Sequence, residues 1–143
     1  MKRMLVVTVL LFALGSTALP AQGPKPEDPL AQLLFDPQLV LKFAKELSLQ
    51  AAQRTTIVNA IKEAQGLILD LQLQMAERHE ELVKAMEPQR VDEKAAMARA
   101  ESVLGLEREM KREQLQLLIR IKNALTQEQQ DRLRELRKAM TKV

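Results

Sequence analysis

Three side chains in one stretch have the chemistry to hold a soft metal ion. Met75, His79 and Met86 recur at spacings of four and seven residues, with Leu82 between them and Glu80 beside the histidine. Thioether sulfur and imidazole nitrogen suit copper or nickel. Against this stands ligand supply. The chain has one His and no Cys, whereas a structural site normally takes about four protein ligands, and a second histidine could come only from a second copy. The preferred reading is therefore packing, with Met75 and Met86 filling core gaps and His79 at the edge of a helical seam. No cofactor is expected, and metal stays a secondary candidate.

Other chemistry is sparse. The sequence has no Cys, Tyr or Trp, and its four Gly residues are isolated, so it offers no thiol nucleophile and no phosphate-cradling loop. Acidic residues are plentiful but stand among Lys and Arg on helical patterns. The expectation is a protein that is not an enzyme. Nucleic acid is not an expected partner either, because stacking aromatics are missing and net charge is close to neutral.

The most informative motif is Leu125-Thr126-Gln127-Glu128-Gln129. Thr followed three residues later by Gln is a capping box: the hydroxyl accepts from the third backbone N–H of a new helix, and the glutamine reaches back to the threonine N–H. Leu125 occupies the hydrophobic-staple position. A partial echo stands at Leu49-Gln50-Ala51-Ala52-Gln53, which keeps Leu49 and Gln53 but has Gln50 in place of the hydroxyl residue. Ser48 is the alternative cap there.

On this motif pair, the chain resembles the Spy/CpxP superfamily of periplasmic stress proteins, which also includes zinc-resistance-associated proteins and metal sensors such as CnrX. The resemblance covers roughly residues 36–141. It implies an ATP-independent chaperone or an envelope-stress adaptor, working as an intertwined or cradle-like helical homodimer. Unfolded or envelope proteins would be its clients, or a membrane sensor protein its partner. Relatives that bind zinc, nickel or copper make a heavy-metal sensor or metal-binding resistance protein the alternative.

The elements that would position these residues are helical. Asp36-Pro37 starts a short helix expected to reach Leu47. A second helix, about 50–87, carries Ile57, Ile61, Ala64, Ile68, Leu71, Met75, Leu82 and Met86 at heptad-like steps. Pro88 ends it. A third, about 91–124, carries Ala96, Ala100, Val103, Leu106, Met110, Leu117 and Ile121, and a fourth runs from Gln127 to about Met140. Leu67, Leu69 and Leu73 fall off the main stripe, as does Met97. With Arg54 and Lys62 they are the candidate client or dimer surface. The fold class expected is all-α: an elongated antiparallel helical hairpin with short flanking helices, in a homodimer.

The N-terminal end reads as an export signal. Lys2 and Arg3 precede an apolar run from Met4 to Leu14, too short for a membrane span, and small residues follow. Cleavage after Ala21 or Ala18 is expected, giving a periplasmic protein with no transmembrane segment. The domain division is a signal peptide over 1–21, a flexible Pro-rich leader over 22–35 and one helical domain over 36–143. The whole chain carries +3, but residues 119–143 hold seven basic and three acidic residues; the preferred reading is a solvated basic face, and the alternative is contact with anionic lipid or an acidic partner.

Overall fold

The computed structural model describes residues 29–141. The expected signal peptide and residues 22–28 of the expected leader lie outside them. Five helices follow in order: α1 (Pro29–Leu33), α2 (Pro37–Lys42), α3 (Ala51–Met86), α4 (Glu93–Ala124) and α5 (Gln127–Thr141). Among the described residues there is no strand, so the all-α expectation holds. No described helix is long and apolar enough to cross a membrane.

Asp36 starts α2 as expected, its Oδ1 accepting from the N–H groups of Gln38 at 2.7 Å and Leu39 at 3.1 Å. Regular helix stops at Lys42, earlier than the expected Leu47. Turns continue to Ser48, where the chain adopts φ 50°. The Ser48 N–H bonds the Lys45 carbonyl at 2.9 Å and the Leu49 N–H bonds the Ala44 carbonyl at 3.0 Å. This is the Schellman pattern, with Ser48 in the left-handed position where glycine is usual. Ser48 therefore terminates the preceding turns. The N-cap of α3 is Gln50, which settles the alternative cap against Ser48.

The packed core begins before residue 36, so the expected leader boundary is too late. Leu34 and Phe35 are buried and α1 is helical. Phe35 precedes the Asp36 cap and Val40 lies four positions after it. Both are fully buried in one cluster, which is the hydrophobic-staple arrangement.

α3 and α4, each about 50 Å long, make the most extensive packing in the molecule. Asp92 caps α4, accepting from Ala95 N–H at 3.0 Å. The core is concentrated at one end. Val40, Leu47, Leu49, Ile57, Ile61, Ile121, Leu125 and Leu133 join Phe35 there. Beyond Ala64, no residue of α3 is buried. Ile68, Leu71, Met75 and Leu82 are half-buried, and Met86 is exposed, so Met86 does not fill a core gap within the chain. Glu81 pairs with Arg99 at 3.0 Å and Glu63 with Arg120 at 2.8 Å. These exposed pairs mark the register more than they stabilise it.

Candidate functional site

The two motifs meet in space. At the start of α5 the capping box is complete: Thr126 Oγ1 accepts from Gln129 N–H at 3.2 Å, and Gln129 Oε1 accepts from Thr126 N–H at 2.9 Å. At the start of α3, Gln53 Oε1 accepts from Gln50 N–H at 3.0 Å. The two glutamine amides then bond each other. Gln53 Nε2 donates to Gln129 Oε1 at 2.8 Å, and Gln129 Nε2 donates to Gln53 Oε1 at 3.1 Å.

Each amide has one further donor contact, to the carbonyl at the end of the segment preceding the other motif. Gln53 Nε2 reaches Ala124 O at 2.8 Å, and Gln129 Nε2 reaches Leu47 O at 3.2 Å. Every donor hydrogen and lone pair of the two amides thus has a partner. Gln130 Nε2 adds bonds to Lys122 O at 3.1 Å and Leu125 O at 3.3 Å. The residue at the Leu125 staple's partner position is this Gln130. Leu125 instead joins the main core beside Leu49.

The basic C-terminal end is less solvated than expected. Arg137 donates to the carbonyls of Ala31 at 3.0 Å, Leu34 at 3.1 Å and Gln32 at 2.8 Å, while Lys122 Nζ reaches Leu33 O at 3.0 Å. Four carbonyls at the end of α1, which the helix itself leaves unpaired, are thereby covered. Arg134 and Arg137 also lie 5.7 and 5.8 Å from the Phe35 ring centroid. Arg134 pairs with Asp131.

The candidate surface residues separate into distinct places. Leu67 lines a cleft with Asp70, Leu71, Gln74, Glu109, Arg112 and Glu113. Leu69 and Leu73, one turn apart, are 55% and 60% exposed. Lys62 is exposed seven residues before Leu69, on the same helical face. Met97 is exposed on α4 in a stripe with Leu104, Leu115 and Ile119. Arg54 lines a cleft with Lys42 and Lys45.

The soft-metal candidates are not gathered into a site. His79 and Met86 are exposed and Met75 is half-buried. Among the described residues no three His, Cys, Asp or Glu side chains group as metal ligands. Glu80 instead pairs with Lys84 at 2.7 Å. The Lys84 hydrogen bond, then its charge, holds the Glu80 carboxyl below the usual carboxylate range, and Glu80 likewise raises Lys84.

Sequence reasoning did not identify Gln130, Phe35, Arg134 or Arg137 as positioning residues. An apolar residue directly before Asp36-Pro37 was a readable staple signal for Phe35. Nothing in the spacing signals that Arg137 reaches carbonyls about a hundred positions earlier. Set against protein-family models, curated proteins and solved structures, the chain gives no match.

Proposed function

We propose that this chain is a non-enzymatic envelope-stress protein of the periplasm that holds unfolded polypeptides without ATP, as its resemblance to Spy/CpxP implies. The observation that carries the reading is an uncovered apolar side on the two long helices. On α3 two of the exposed apolar residues follow inward-facing ones by one position: Leu69 after Ile68, and Val83 after Leu82. The same offset holds on α4 for Met97 after Ala96 and Leu104 after Val103, and Leu115, eleven residues after Leu104, lies on the same helical face. One residue is about 100° of helical rotation.

Equal rotations on oppositely directed helices point to the same side of the pair. An antiparallel hairpin therefore puts both stripes on one side. Two observations support that direction. The ion pairs run in opposite order along the helices, Glu63 with Arg120 and Glu81 with Arg99. Residues one position before the inward ones, Leu67 and Gln74 on α3 and Glu109 on α4, share a single cleft, as antiparallel helices require. The cleft side mixes Leu67 and Leu71 with Asp70, Gln74, Glu109, Arg112 and Glu113. The other side carries Leu69, Val83, Met97, Leu104 and Leu115, with Lys62, Glu101, Arg108 and Lys111 exposed on the same stripes.

Exposed Leu and Met with interspersed cations form a surface that adapts to varied apolar segments. A homodimer is part of the proposal, because a layer two helices thick leaves more apolar surface than a lone chain normally tolerates. Action as an adaptor on a membrane sensor protein would use the same side.

The test is suppression of aggregation of a chemically unfolded client, without ATP. Wild type should suppress it at stoichiometric amounts. Leu104→Glu with Leu115→Glu should retain helicity and melting but lose suppression. Equal suppression by the double variant would overturn the surface assignment. Sedimentation equilibrium at micromolar concentration should give a dimer, and a monomer alone would remove that element.

A further inference from the structure

A second cleft, at the α2 end of the face of α3 that carries Lys62 and Leu69, combines an apolar floor with a positive rim. It lies between the end of α2 with its following turn and the first turns of α3. Leu41, Ala44 and Val58 are its half-buried floor; Lys42, Lys45 and Arg54 are its exposed rim. Its volume is about 300 Å³. No carboxylate lines it, and none of the three cations makes an ion pair among the described residues. Gathering like charges is unfavourable, and a bound anion offsets that repulsion.

Shape narrows the ligand. A small-molecule pocket usually buries about 70–90% of its ligand, and this cleft is open to solvent. It suits the end of a longer chain whose remainder continues over the surface. A carboxylate with an apolar group attached matches the rim and floor together. Capture of a terminal carboxylate is an established mode of peptide recognition.

We infer that this cleft binds the C-terminal end of an unfolded polypeptide, its carboxylate on Lys42, Lys45 and Arg54 and its last apolar side chain on Leu41, Ala44 and Val58. The inference rests on the chaperone reading, and it adds a chemical preference that the apolar side does not supply. Because the cations are exposed, attraction should weaken with salt.

The chain has no Trp, so tryptophan anisotropy reports only an added peptide. The probe is a hexapeptide with one tryptophan near its start and leucine at its end, made as the free acid and as the C-terminal amide. The acid should bind about tenfold tighter or better, and the gap should shrink with salt. Lys45→Gln with Arg54→Gln should abolish the gap without changing the melt; charge reversal at both positions should do the same. Equal binding of acid and amide, or a gap that survives both double variants, overturns the inference. Decanoate binding tighter than the peptide acid would make a fatty acid the occupant and overturn it as well. Aggregation suppression with no acid preference sinks this inference alone. An acid preference with no suppression sinks the chaperone reading alone.

Discussion

The side-chain amides of Gln53 and Gln129 form a closed reciprocal pair that ties the first turn of α3 to the first turn of α5. The pair is pseudo-symmetric. Each Oε1 also accepts from the backbone N–H at its own helix start, and each Nε2 also donates to a carbonyl ending the segment before the other motif. A capping residue with this second duty fixes where two helices begin relative to each other. Leu49 and Leu125, the first residues of the two motifs, are both in the core.

Removing one amide strands the groups bonded to the other. Gln129→Leu and Gln53→Leu should each cost about 1–3 kcal/mol, since partly buried donors and acceptors lose partners. The double variant should cost clearly less than the sum, with a coupling of roughly 0.5–3 kcal/mol. Urea unfolding of the four proteins of this cycle measures it. Strict additivity would mean that the pair is a contact without energetic consequence.

Thr126 has the simpler role. Thr126→Ala should cost roughly 0.5–2 kcal/mol, the range for losing an N-cap. Thr126→Ser keeps the accepting oxygen and should melt within error of wild type. Aggregation suppression should follow stability in both. A serine variant that folds normally yet loses suppression would instead make the motif a contact site for clients.

The all-helical fold was legible because it rests on local signals. Asp36-Pro37, Pro88 and the Thr126–Gln129 box fix helix boundaries through chemistry within a few residues. What the sequence does not display is pairing across long separations. The capping role of Gln129 is local and readable, but its bond to Gln53 depends on how α3 and α5 are brought together. Arg137 reads as one more surface cation until α1 is placed beneath it. Met86 sits on the heptad stripe, yet the helices bury only small side chains such as Ala96 near that end, so the stripe overstates the core. Pro24, Pro26 and Pro29 set the expected leader, but Phe35 at its end is buried with Val40 and lies close to Arg134 and Arg137.

Glu80 and Lys84 give a prediction about pH. The folded Glu80 carboxyl lies below its ordinary value, so its contribution is present above the unfolded carboxylate range and lost as pH falls through the lowered value. Lys84 is raised, so its contribution holds below the ordinary lysine range and is lost as pH rises through the raised value. Between those limits the pair is indifferent to pH. Both side chains are exposed, so the effect should appear in titration and not in melting. Side-chain NMR of Lys84→Gln should show the Glu80 midpoint moving up toward an ordinary carboxylate, with an unchanged melt at neutral pH. An unmoved midpoint would show that the pair does not form in solution.

The remaining prediction concerns Ser48, which holds the left-handed position that closes the turns after α2. A side chain there crowds the backbone, and glycine carries no such penalty. Ser48→Gly keeps the Lys45 and Ala44 carbonyl bonds in place and relieves the crowding. It also gives the unfolded chain more freedom, which offsets part of the gain. The net expectation is a stabilisation of about 0.5–1 kcal/mol. Ser48→Val should move the other way, because a β-branched residue at positive φ is strained further. Thermal melts of the two variants check both signs. If Ser48→Gly destabilises the protein, the Ser48 hydroxyl contributes more than its backbone conformation costs. The start of α3 would then depend on that side chain as well as on Gln53.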